Sequence, residues 1–174
     1  VWGAVDRSDG TLIIYRELYR KNLTGLDLGR IITEMEIEDP FSVQGVLDTA
    51  AWARTGTTGP TVGETLQQLG HKLRRADKNR IQGKIQIHEY LKVQNNGRPR
   101  LQIFNNCPNL IRELQSIPLS KTKPEDVDTH ASDHAYDALR YLIMSRPRVT
   151  DPLQRIRELK RESIYKPTDP EFGY

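Results

Sequence analysis

The chain contains a single cysteine, Cys107, which excludes an internal disulfide and suits a reducing, intracellular setting. It also lacks any apolar run approaching the roughly 20 residues a membrane helix needs, so insertion by such a helix is excluded. The opening segment Val1-Trp2-Gly3-Ala4-Val5 is too short for a secretory leader and has no basic flank. No GxxxxGK[ST] loop is present, so nucleotide hydrolysis on a phosphate-cradling loop is not expected. Internal repeats are absent as well.

What is present describes one domain with a tail. At 174 residues, with 36% hydrophobic and 28% charged residues, the chain is long enough for one real core and too short for two full domains. The net charge of +3 is modest, but its distribution is uneven. Between positions 72 and 84 stand Lys72, Arg74, Arg75, Lys78, Arg80 and Lys84, with Asp77 as the only acid. That stretch is either a phosphate-facing patch or a solvated helix face.

Local patterns set the expected elements. Trp2, Ala4 and Asp6 alternate, a Ser8-Asp9-Gly10 turn follows, and the run from Thr11 to Tyr19 is rich in β-branched and aromatic residues, which together predict a hairpin. Asp6 then reads as a solvated turn acid. Thr24 can cap a helix over about residues 26–37, with Leu28, Ile31, Ile32 and Met35 at helical spacing. Ser42 to Asp48 predicts a buried strand ending in an acid, and Thr55 to Pro60 a loop in which Gly56, Gly59 and Pro60 shape the chain beside Asp48. Helices are expected at about 61–69 and 79–91, a turn at Asn95-Asn96-Gly97, a strand at 100–104, a short helix at 107–114 and a last helix at about 130–144. Trp52, Tyr90 and Tyr136 read as core aromatics. After Pro147 the composition turns charged and proline-containing, so residues 1–146 read as the domain and 147–174 as a peripheral tail, where Leu153, Ile156 and Leu159 could form a short amphipathic helix. The order predicts an α/β fold, with a mixed central sheet flanked by helices.

The segment Ser132-Asp133-His134-Ala135-Tyr136-Asp137-Ala138-Leu139-Arg140-Tyr141 carries the most chemical information. On a helix Asp133 and Asp137 share one face, opposite an apolar side formed by Ala135, Leu139, Leu142 and Ile143. Two carboxylates so placed repel each other unless a cation sits between or beside them, which invites a metal reading. The alternative for Asp133 is helix capping. Asp48 is expected at the C-terminal end of a buried strand, where open sheets place ligand sites, and its alternative is a local turn bonded to the Thr49-Ala50 backbone. If the last helix packs beside that strand, Asp48 and Asp133 can converge on one divalent ion with Asp137 or His134 nearby.

Taken in order, VLDTAAW, RTGTTGPTVGETL, NRIQGK with IHEYL, LQIFNNCPNLIREL, EDVDT and DHAYDALRY resemble the nuclease domain of the large terminase subunit of tailed bacteriophages, over about Val1 to Arg146. The resemblance implies an RNase H-like fold whose acids bind two magnesium or manganese ions and cut double-stranded viral DNA during genome packaging in the host cytoplasm. It implies Asp48 as the strand-end metal ligand and Asp133 as the acid of the last helix. Asp137 would be an accessory ligand or supporting group, and His134 a ligand or proton shuttle. Lys72, Arg74, Arg75, Lys78, Arg80 and Lys84 would be the DNA-contact candidates. The implied partners are an ATPase domain, a small terminase subunit and a portal protein. The family's further essential Asp, on a strand upstream of the segment matching Val1 to Asp6, is missing from the sequence. The competing readings are another RNase H-like nuclease of the resolvase or transposase type, and a catalytically silent nucleic-acid-binding or motor-docking module.

Overall fold

In a computed structural model the described residues are 1–54, 59–119, 127 and 133–146. The 147–174 tail, the glycine-bearing loop at 55–58 and all of EDVDT except Val127 lie outside them. The elements in chain order are β1 (Trp2–Val5), β2 (Leu12–Arg16), α1 (Gly25–Glu36), β3 (Gln44–Leu47), a short 3-10 turn (Thr49–Trp52), α2 (Val62–Gln68), β4 (Lys72–Arg75), α3 (Arg80–Leu91), β5 (Leu101–Ile103), α4 (Pro108–Ser116) and α5 (His134–Ser145).

The expected hairpin forms, and its turn explains Asp6. One Asp6 carboxylate oxygen accepts the Ser8 backbone N–H at 2.8 Å and the Ser8 hydroxyl at 2.6 Å, and Gly10 takes the left-handed φ of 77° that closes the turn. The alternation of Trp2 with Ala4 and Asp6 does not persist, because the register shifts between Trp2 and Gly3: Trp2 is buried while Ala4 and Asp6 face solvent. The second strand stops at Arg16 rather than running on to Tyr19. Helix α1 is started by Thr24, whose hydroxyl accepts the Asp27 N–H while the Asp27 side chain answers the Thr24 N–H.

The strands form two sheets. β2 is the middle of a three-stranded sheet, antiparallel to β1 and parallel to β5, and β3 and β4 make a separate parallel pair. A single mixed sheet was the expectation; among the described residues β1 pairs only with β2, and β3 only with β4. The first part of the basic stretch, Lys72–Arg75, is itself a strand, although its KLRR composition carries no strand pattern. Its pairing with β3, in the register Gln44 to Lys72 through Leu47 to Arg75, supplies the order that propensity does not.

The core lies on the three-stranded side. Leu12 and Ile14 of β2, Leu101 of β5, Ile87 of α3, Leu110 of α4, and Leu139 and Ile143 of α5 are all essentially removed from water. Tyr136 belongs to this core and Tyr90 packs against it, as expected of both; Trp52 instead lies half-buried against Gly63. Helix α5 is the element common to both sheets. It packs on α3, α4 and β3, and Leu142 reaches β1 so closely that a Cβ at Gly3 would lie 3.2 Å from its Cδ1.

Candidate metal centre

Asp133 is the residue just before helix α5, yet its side chain makes no capping hydrogen bond. The cap comes from Glu113 of α4, a carboxylate with only 1% of its surface exposed. One of its oxygens accepts the backbone N–H groups of Ala135 at 2.7 Å and Tyr136 at 3.0 Å, and the other accepts the Tyr19 hydroxyl at 3.1 Å. Two donors that a helix start leaves unpaired are therefore satisfied from a different helix. Asp133 makes no capping bond of its own, but it still stands at the N-cap, where its charge opposes the helix dipole as the capping alternative expects.

On that side Asp133, Asp137 and Tyr141 follow each other at one-turn spacing. The Arg80 guanidinium sits between the two acids, 3.7 Å from an Asp133 oxygen and 3.5 Å from an Asp137 oxygen. The other Asp137 oxygen accepts from Arg140 Nε at 3.0 Å. Arg140 is 2% exposed, and its stem fills the space above Gly83 of α3. The cation demanded by two like charges on one helix face is thus supplied by the chain itself. His134 points away into solvent with three quarters of its side chain exposed, its Nδ1 3.9 Å from Asp133.

Asp48 follows β3 directly and does two things. One oxygen accepts the Ala50 N–H at 2.7 Å, which is the local turn role open to it from the sequence, and also lies 3.7 Å from Lys78 Nζ. The other oxygen accepts the Tyr141 hydroxyl. The strand-end acid and the helix acids are joined in this way through Tyr141, whose ring lies 4.4 Å from the Arg140 guanidinium carbon. They are also joined through the segment before α3, where Lys78 meets Asp48 and Arg80, two residues on, meets Asp133 and Asp137.

The environment separates the acids. Burial works against the charge of Asp48, but the Ala50 N–H, the Tyr141 hydroxyl and Lys78 outweigh it and hold the carboxyl below its ordinary value. Asp133 is shifted upward by burial and then by the neighbouring Asp137, with Arg80 opposing. Tyr141 is pushed up to about 12 by burial and by its bond to Asp48.

The basic stretch divides in two. Lys72, Arg74 and Arg75 on β4 are exposed; Lys72 reaches the Ser42 hydroxyl at 3.1 Å, Arg74 donates to the Ser145 carbonyl, and Arg75 lies over the Trp52 ring. Lys78 and Arg80 are instead turned onto the acids, and Lys84 lies half-buried on α3. Glu113, Arg140 and Tyr141 were not anticipated as parts of the site. A signal for Glu113 does exist in the sequence, since it falls one turn from Leu110 on the buried side of an amphipathic helix, where a charge needs a partner.

As donors, the carboxylates are hard oxygen ligands of the class that magnesium and manganese take. Asp133 and Asp137 are the acids that would hold such an ion, and the Arg80 guanidinium stands beside both. Among the described residues no group of three or more acidic, histidine or cysteine side chains is gathered closely enough to hold an ion. Among the described residues three carboxylates stand here against three cations, Lys78, Arg80 and Arg140. No protein-family model matches the chain, and neither a curated protein nor a solved structure does. No helix among the described residues is long and apolar enough to cross a membrane.

Proposed function

We propose that the chain is a metal-dependent endonuclease domain of RNase H-like fold, similar to the nuclease of phage large terminases and acting on double-stranded DNA during genome packaging. The observation that carries this reading is that Asp133 and Asp137 share one side of α5 beside Arg80, with the strand-end acid Asp48 bonded to Tyr141 of the same helix. The motif series and the mixed α/β architecture support it.

On this reading Asp133 and Asp137 hold the divalent ion. When bound, that ion supplies Lewis acidity and lowers the pKa of coordinated water. Asp48 is kept ionised by its bonds to Ala50 and Tyr141, and so stays available as a ligand or as acceptor of a proton. Lys72, Arg74 and Arg75 are exposed for phosphates, and the sequence-independent part of DNA affinity would come from them. A second ion, which the resemblance implies, needs ligands beyond this carboxylate pair. An ATPase domain, a small subunit and a portal are the partners that the same resemblance implies.

Manganese-dependent nicking of supercoiled plasmid by the 174-residue chain tests the reading. Asp133→Asn is expected to lower nicking by about a hundredfold or more while leaving DNA binding nearly intact, since one ligand is lost and no phosphate contact is. Full activity in that variant removes Asp133 from the site. The pairing of Asp48, Asp133 and Asp137 with cations of the chain itself favours a second reading, a catalytically silent nucleic-acid-binding module. A silent module binds DNA equally with chelator present and shows no manganese-dependent cutting.

A further inference from the structure

We propose that the chain's own C-terminal segment, residues 147–161, docks along a groove that opens at the end of α5 and finishes at Phe41. The inference stands apart from the nuclease reading and from its acids.

The groove consists of two joined clefts. One, of about 480 Å³, runs from Ser145 past Arg74 and Val46 to Lys72; the other, of about 370 Å³, continues from Lys72 to Phe41, and the two share Gly70, His71 and Lys72. Its far wall is a loop that combines a fixed backbone with bare apolar side chains. Asp39 accepts from Arg16 at 3.1 and 3.2 Å and from the Tyr15 hydroxyl at 3.1 Å, and its own N–H donates to the Glu36 carbonyl at 3.0 Å. On either side of it Ile37 and Phe41 are 81% and 83% exposed, more than any other large apolar side chain among the described residues. Apolar anchors held on a rigid loop beside a cleft mark a docking surface, because little order remains to be imposed on binding.

Three observations select the occupant. The chain leaves α5 at Arg146, and so enters the groove at its Ser145 end. The reach is sufficient: Arg74 donates to the Ser145 carbonyl, Lys72 is two residues back along β4, and Gln44, its partner on β3, is three residues after Phe41. That path is about 17 Å, and the seven residues 147–153 extend to about 23 Å. Composition agrees as well. Asp151 falls where the path passes Lys72, and Leu153, Ile156 and Leu159 then bring an apolar stripe to Phe41 and Ile37. The same stretch carries Arg155, Arg157, Lys160 and Arg161 against Glu158 alone, and the exposed acids beside Ile37 are Glu34 and Glu38.

The test is disulfide trapping in the full 174-residue chain, whose one native cysteine, Cys107, is buried. Ser42→Cys combined with Gln154→Cys is expected to oxidise to an intramolecular disulfide about tenfold faster or more than Asn95→Cys combined with Gln154→Cys, because docking raises the local concentration of one thiol at the other. Ser42 and Asn95 are both exposed, so neither pair requires the core to open. Adding Phe41→Ser or Ile156→Ser to the first pair should return its rate to that of the second. Should Ser42→Cys fail to fold by circular dichroism, Pro40→Cys, exposed in the same cleft, replaces it. Equal rates for the two pairs, or a fast rate that survives either serine variant, overturn the proposal. Disulfide-linked dimers in place of linked monomers overturn it too, and assign the groove to a second copy of the chain.

Discussion

The two sheets divide the work unequally. Buried residues of β2 and β5 build the core with α3, α4 and α5, whereas neither β3 nor β4 contributes one fully buried side chain. Yet Asp48 belongs to the exposed pair, and its nearest structural link is Tyr141 of the well-packed helix. Stability is invested on one side, and α5 extends that rigidity to a site whose strand-end acid comes from the other. On the proposed nuclease reading, this division would keep the helix acids stiff and leave the strand edge open to a large polyanion.

The sharpest way to break the comparison is to strike each side once. Glu113→Ala removes the carboxylate that accepts the buried N–H groups of Ala135 and Tyr136, and should cost about 3 kcal/mol or more in denaturant unfolding, from two lost buried hydrogen bonds and a lost cap. Val46→Ala, on half-buried β3, should cost about 1 kcal/mol or less. Equal penalties at the two positions would mean that the β3–β4 pair is as integral to the fold as the core.

Between these lies Gly83→Ala. A Cβ there would stand 2.4 Å from Arg140 Cγ and 2.7 Å from its Cδ, atoms of a buried stem rather than a mobile tip. Overpacking of this kind should cost about 1–3 kcal/mol, and because the strain falls on Arg140 it should also disturb the Arg140–Asp137 bond. A melting temperature equal to that of the unaltered chain would show that α3 and α5 can part without loss, and so that the Arg140 stem is not fixed by its packing on Gly83.

How far the sequence leads is itself uneven along these lines. Helix α5 is legible because Ala135, Leu139 and Ile143 recur on one face, and the Asp6 turn because Asp, Ser and Gly act locally. Strand β4 is not legible: KLRR becomes a strand only because β3 lies beside it, and that pairing is tertiary. The acids Asp48, Asp133 and Asp137 can be chosen from spacing, but their partners cannot. Lys78 and Arg80 read as cations available to phosphate, and only the fold turns them onto carboxylates. Glu113 is hidden for the same reason, since the helix it caps starts 21 residues later in the chain.

The finest probe of the junction between the two sides is Tyr141→Phe, which keeps the ring and removes only the hydroxyl bonded to Asp48. The expected cost at neutral pH is about 0.5–1 kcal/mol, the lower part of the hydrogen-bond range because the Asp48 side chain is 40% exposed. Its pH dependence follows from both partners. Asp48 is lowered in the folded chain from an ordinary value of 3.8, so its share of the stabilisation is present above that pH and lost as pH falls through the folded value. Tyr141 is raised from 10.0 to about 12, so its share is complete below pH 10 and lost as pH rises toward 12. The difference in unfolding free energy between Tyr141→Phe and the unaltered chain should therefore be level across neutral pH and shrink at both extremes. A difference that does not shrink at all on the acid side, however far the pH is lowered while the chain stays folded, would mean that the hydroxyl is not bonded to an ionised Asp48, and that the two sheets meet at the site without this link.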